Sequence, residues 1–212
     1  MSKKSVVAVV KTSPETVLED TARAVKLAGY QQVIKPEHET ALKINITWHH
    51  WYPACNTTPW QLEGVIRALL ADGFDRSKIH GCHNRTVVVS AKKGEVSNKH
   101  KQVLDAYQLD NVHLYEGQEW MRFEPKARMH ALNEIYPHGI EIPKRFMGEN
   151  IIHMPTMKTH VFTTMTGAMK NAFGGLLNEH RHWTHPVIDE PLVDLLMIQK
   201  KPNDALKRLA EV

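Results

Sequence analysis

Short apolar runs of strand length alternate with stretches of helical spacing along the chain, and this alternation restricts the fold more than any other feature of the sequence. Residues 6–10 read as a buried strand, and Ser13-Pro14-Glu15 then opens a helix with a cap, a first-turn proline and an acidic side chain at the positive end of the dipole. That helix is expected to stop near Gly29. Residues 42–47 alternate apolar and polar as a strand should, and Thr58-Pro59-Trp60-Gln61 forms a capping box ahead of Leu62, Val65, Ile66, Leu69 and Leu70. Gly73 ends this second helix. Further strands are expected at residues 78–82, 86–90 and 111–115, with a helix at 99–107. Residues 117–145, punctuated by Gly117, Pro125, Pro137, Gly139 and Pro143, read as a surface excursion with a hairpin at 139–142. A strand beginning at Ile151 ends at Pro155, and helices at 186–199 and 203–212 follow.

Strands separated by helices imply an α/β fold: a mainly parallel sheet with helices on both faces, whose ligands lie beyond the carboxyl ends of the strands. A chain of 212 residues with 42% hydrophobic content is long enough for one such domain over residues 1–212, with a helical segment from about residue 185. Trp48, Trp51, Trp60 and Trp183 are expected mostly in its core.

The net charge is +4, and the basic residues occur in short pairs such as Lys3-Lys4, Lys92-Lys93 and Lys200-Lys201 rather than in a long run, so nucleic acid is not an expected partner. No apolar run approaches the length of a membrane span, and the opening residues lack the apolar stretch of a secretion signal. Cys55 and Cys82 form neither a C-x-x-C pair nor a disulfide framework. A protein of the cytoplasm with reduced thiols and no membrane partner is the expectation. The 14 histidines include His49-His50, His80-x-Cys82-His83 and His180-x-His182-x-x-His185, none of which has the spacing of a structural zinc site, so no metal ligand is assigned.

The segment from His153 through Lys158 and His160 to Gly174 carries the chemistry. If residues 161–177 form one helix, a rotation of about 100° per residue places Thr163, Thr166, Gly167, Lys170, Asn171 and Gly174 on one half of the wheel. Val161, Phe162, Met165, Ala168, Met169, Ala172 and Leu176 fall on the other, which reads as core. Thr, Asn and Gly disfavour helix by up to about 1 kcal/mol each relative to Ala, so propensity did not select the first face. Small side chains around a lysine suit close approach by an anionic group. No Gly-x-Gly-x-x-Gly follows the first strand and no P-loop motif occurs, which removes the standard nucleotide sites.

The run Pro155-Thr-Met-Lys158-Thr-His160, then Thr166-Gly-Ala-Met-Lys170-Asn171, then Gly174, resembles the signature of domain-of-unknown-function family 362. Lys43-Ile-Asn45 is similar to the family's Lys-Pro-Asn, with Ile44 in place of proline, and Thr57-Thr58-Pro59 to its Thr-Thr-x-Pro region; His185 before an apolar helix also fits. The likeness covers about residues 5–200. The family's downstream Asp-Gly strand, its glycine-rich segment and its cysteine-rich iron–sulfur module have no counterpart here, so the resemblance leaves two expectations open: completion by a partner chain or a second copy, or a chain that binds without catalysis.

Together these readings give a crevice for a small anionic substrate or phosphorylated cofactor. Lys158, His160 and Lys170 are its catalytic candidates, with His160 as general acid or base, and Lys43, Asn45, Thr58, Thr163, Thr166, Gly167, Asn171 and Gly174 its binding candidates. The alternatives are a metal- or iron–sulfur-linked redox protein, with His160, His180, His182, His185 or Cys82 holding an ion, and a non-catalytic subunit completed by a partner.

Overall fold

A computed structural model describes residues 6–86, 89–124 and 128–200. Its strands are β1 (Thr40–Ile44), β2 (Ile79–His83), β3 (Asp110–His113), β4 (Trp120–Phe123), β5 (Ile140–Pro143), β6 (Asn150–Met154), β7 (Lys158–His160) and β8 (Thr164–Thr166). The α-helices are α1 (Val17–Leu27), α2 (Pro59–Ala71), α3 (Ala91–Ser97), α4 (His100–Ala106), α5 (Leu132–Ile135), α6 (Ala168–Leu176) and α7 (Asp189–Lys200).

The central sheet runs β3-β2-β1-β6 with every neighbouring pair parallel. Parallel strands buried on both faces should be apolar on successive residues, and all five positions of β1 and of β2 are buried. Leu42, Ile44, Ile152 and Met154 face a core built with Leu62, Ile66, Leu69 and Leu104, from α2 and α4. Ala41, Cys82 and Ile151 face a second core with Leu132, Phe146, Phe173, Leu176 and Leu195. Helices therefore cover both faces, as the alternation of elements implies.

Local chemistry sets the best-predicted boundaries. Thr58 caps α2, its hydroxyl accepting from the Gln61 amide at 3.3 Å, with Pro59 at the first helical position. Gly73, at φ +86°, ends the helix in the left-handed region open to glycine.

Several expectations are corrected. Residues 6–10 form no strand, and Val6, Val7 and Val9 are exposed, so the apolar run there has no sheet neighbour. Thr86 and Val89 lie outside any strand, and Ser90 instead caps α3, a helix the spacing did not reveal; residues 87 and 88 of that expected strand lie outside the described residues. Residues 117–145 are more than a surface excursion: β5 pairs antiparallel with β4 across a long connection rather than forming a hairpin at 139–142, and Leu132, Ile140 and Ile142 are buried. Trp48, Trp51, Trp60 and Trp183 are each exposed by 38% or more, not packed in the core. The expected helix at 203–212 lies outside the described residues.

The single helix over 161–177 is also replaced. Residues 158–166 make the antiparallel pair β7–β8, with Lys158 opposite Thr166, and α6 starts only at Ala168. Val161, Phe162 and Met165, placed on the core side by the helical wheel, are 86%, 55% and 52% exposed, and Met169 is exposed as well.

Helix α5 has Ala131 before its first residue and no cap of its own. The fully buried Asp194 of α7 substitutes, accepting from the amides of His130, Ala131 and Leu132 at 2.7, 2.9 and 3.0 Å. A carboxylate on three buried N–H groups ties α7 to α5 more firmly than apolar contact alone. Replacing Asp194 by Ala strands those donors, and we expect urea unfolding to show a loss of about 3 kcal/mol or more, with Asn retaining part of it.

Candidate functional site

In the sheet order, β1, β2 and β3 proceed in one direction and the chain then returns to place β6 on the other side of β1. The connections leaving the carboxyl ends of β1 and β6 thus go to opposite faces, and a gap opens between them, the usual place for a ligand in an open α/β sheet. A crevice of about 340 Å³ lies there, lined by Lys43 and Ile44 at the end of β1, by Asn45 and Thr47 just after it, and by Pro155, Thr156 and His160 after β6. Thr166, Gly167, Lys170, Asn171 and Gly174 add the wall from β8 and α6, and Arg181, His182 and His185 close it.

The mouth is held by side-chain bridges between the two departing strands. Thr57 accepts from the Asn45 amide at 2.9 Å and donates to the carbonyl of Met154, so one hydroxyl spans the ends of β1 and β6. Thr156 donates to the Asn56 carbonyl at 2.6 Å. The buried Asn56 accepts from the amides of Thr47 and Trp48 and donates to Asn98 Oδ1 at 2.8 Å, which orders the loop after β1.

Lys43 is the deepest cation. Its Nζ donates to the Ile44 carbonyl at 3.0 Å, and burial, together with Arg181, draws its pKa down to about 8 despite the neighbouring Cys82. A Cβ at Gly175 would stand 3.0 Å from Lys43 Cε, so that glycine makes room for the lysine stem. Asn171 donates to the Lys43 carbonyl at 2.8 Å and thereby ties α6 to β1; it is buried rather than presented openly. Cys82 and His153 are the register partners of Lys43 on the flanking strands. Burial pushes the Cys82 thiol up to about 12 and, with Lys43 beside it, His153 down to about 3, so both are neutral at pH 7.

Lys170 lies over the Phe173 ring at 4.9 Å, and its pKa is drawn down to about 8 by burial and by Arg181 and Lys158. Lys158 donates to Asn45 Oδ1 at 3.1 Å, and burial lowers it too. Among the described residues, Lys43, Lys158 and Lys170 have no carboxylate partner, and no acidic side chain lines the crevice.

Hydrogen bonds assign the histidine tautomers. His160 Nδ1 accepts from the amide of Phe162 at 3.1 Å, which leaves the neutral ring's proton on Nε2. His185 donates from Nδ1 to the His182 carbonyl at 3.0 Å, which leaves a lone pair on Nε2. Burial and Lys170 lower both pKa values, so the two rings stay neutral and differ in what they offer: one an N–H, the other a base. Phe162 lies between them, with centroids 5.9 and 4.9 Å from the His160 and His185 rings.

The structure thus brings Lys43, Asn45, His160, Thr166, Gly167, Lys170, Asn171 and Gly174 together at one crevice. Lys158 stands behind the lining, held on Asn45. Thr58 acts as the cap of α2, and Thr163 bonds to the Met165 carbonyl at 2.8 Å at the turn between β7 and β8; neither lines the crevice. The sequence reading missed Arg181, Asn84, Thr86 and Thr156. The histidine cluster around Arg181 was the available signal, since it follows Gly174-Gly175 directly in the next segment of chain.

Replacing Thr57 by the isosteric Val removes the bridge without changing side-chain volume. The Asn45 amide and Met154 carbonyl lose a partner, so we expect a loss of about 1–3 kcal/mol in denaturant unfolding and faster hydrogen exchange at Asn45.

A family model described as a domain of unknown function, DUF362, matches residues 40–205, from the first residue of β1 to beyond the described part of α7. No curated protein and no solved structure matches the chain. No helix among the described residues is long and apolar enough to cross a membrane. With most of its length matched, including the whole sheet and the crevice, the chain belongs to the DUF362 family.

Proposed function

We propose that the crevice binds a small anionic ligand carrying a phosphate or carboxylate and presents it to an acid–base pair. The observation that carries this reading is the lining itself: Lys43, Lys170, Arg181 and the histidines converge on one cavity that no acidic side chain lines among the described residues. Buried cations without counter-ions are costly to keep charged, and the lowered pKa values of Lys43 and Lys170 are the sign of that cost. An anion relieves it. Lys170 and Arg181 then supply charge, Lys43 lies beneath, and Thr166 and Asn171 position the backbone around them. His185 Nε2 can accept a proton from a bound substrate, while neutral His160 offers a hydrogen bond from its Nε2–H. The two unpaired thiols suit a reducing, cytoplasmic setting.

The exposure of Val161, Phe162 and Met165 on the β7–β8 pair favours a second element of the reading: a second copy or a partner chain that covers this edge. Light scattering that returns a monomer at all concentrations, without change on mixing with candidate partners, counts against that element alone.

Inorganic phosphate and phosphorylated metabolites, screened by thermal shift and then titrated calorimetrically, test the site. Lys170→Met is expected to weaken binding roughly ten- to hundredfold, the loss of a charge-assisted hydrogen bond. Unchanged affinity in that variant and in Arg181→Met defeats the reading.

The pH dependence has a definite sign. Anions bind the protonated lysines and so raise their pKa values; affinity is therefore full below pH 7 and declines as pH rises through about 8, where free Lys43 and Lys170 lose their protons. Affinity for a ligand of fixed charge that rises between pH 7 and 9 contradicts this assignment.

A further inference from the structure

A second cluster stands at the carboxyl ends of β2 and β3, outside the cationic crevice. His83 and His113 are register partners on these strands, and Glu95 reaches them from α3. His83 Nε2 and His113 Nε2 stand 2.7 and 2.9 Å from the same carboxylate oxygen, Glu95 Oε2, and Asn111 Nδ2 stands 2.6 Å from it. Three donors thus converge on one oxygen, while Asn111 Oδ1 and His83 Nδ1 are buried with no partner. As a purely hydrogen-bonded arrangement this is poor: one oxygen is overcommitted while two buried acceptors go without.

The geometry points to a site for one divalent transition-metal ion of the zinc, nickel or iron type, held by His83 Nε2, His113 Nε2 and Glu95. Two imidazoles and a carboxylate are a recognised donor set for such ions. Bonds of roughly 2.1 Å to a tetrahedral ion separate neighbouring donors by roughly 3.4 Å, so the two histidine–carboxylate contacts of 2.7 and 2.9 Å need open by only about 0.5–0.7 Å. His113 sits at a partly exposed edge, which leaves a path of entry.

The surroundings favour this occupant. His113 Nδ1 lies 3.4 Å from Glu116 Oε2, so metallation at Nε2 leaves the other ring N–H directed at a carboxylate, the arrangement that orients metal-bound imidazoles. The other grouping of this kind, Glu39, His80 and Glu149, differs: Arg145 donates to Glu149 at 2.7 Å and lies 3.3 Å from His80, supplying the positive charge that an ion would bring.

The test uses the full chain, purified without a histidine tag and stripped with chelator. Zinc titration by calorimetry is expected to show one site per chain tighter than about 10 µM, and cobalt(II) to give the visible absorption of a four- or five-coordinate ion that zinc displaces. Glu95→Gln and His113→Gln should weaken this step at least about tenfold, while His180→Gln leaves it unchanged. Circular dichroism checks that the variants fold. If either variant does not fold, nitrogen NMR of the wild-type imidazoles decides the matter: zinc-dependent shifts at Nε2 of His83 and His113 support the site. Absence of a one-per-chain step, affinity unaltered in both variants, or unmoved resonances for these two rings overturns it. Because phosphate binding reads out Lys170 and Arg181, the failure of either proposal is visible without the other.

Discussion

The separation of β1 from β6 at their carboxyl ends, spanned by the hydroxyl of Thr57, is the constraint on which the rest of the molecule turns. Adjacent parallel strands must part where their connections cross to opposite faces of the sheet, and parting exposes backbone groups that a ladder would otherwise satisfy. Thr57 takes one from each strand, and Thr156 and Asn56 take those next to it. The gap is therefore kept open by polar bonds and is not filled by packing. The crevice follows from the topology before any side chain in it is chosen.

What occupies the gap reflects an imbalance left unresolved by the protein. Elsewhere several cations have carboxylate partners, such as Lys26 with Asp72 and Lys144 with Glu119. Around the crevice, Lys43 has carbonyl oxygen, Lys158 has amide oxygen and Lys170 has an aromatic face. Neutral acceptors and a ring face hold these amino groups in place without cancelling their charge. Burial penalises the charged forms of Lys43 and Lys170 and lowers their pKa values.

The local elements legible in the sequence were those whose signals are chemical and short-range: the Thr58-Pro59 cap, the glycine stop at Gly73 and the apolar stripe of α2. The helical reading of 161–177 failed for a related reason. Periodicity cannot distinguish an exposed apolar side chain on a strand pair from a core residue on a helix, and Val161, Phe162 and Met165 match both. The run at residues 6–10 failed similarly, since a strand needs a neighbour that sequence does not display. In the site, Lys43, His160 and Lys170 were visible as motif residues, whereas Arg181 and Thr156 are lining residues only because distant segments meet.

By itself the sequence determined the alternation of elements, hence the parallel sheet with helices on two faces, and it singled out the lysine- and histidine-bearing segment as a candidate site. Those conclusions rest on composition and spacing, which act within a few residues of chain. Only the tertiary structure decided that Lys43 lies beneath α6 and that His160 and His185 reach the crevice that Lys43 and Lys170 line. It alone joined His83, Glu95 and His113. Each of those facts depends on which backbone carbonyl or side chain arrives from a remote part of the chain, and burial sets its electrostatic consequence.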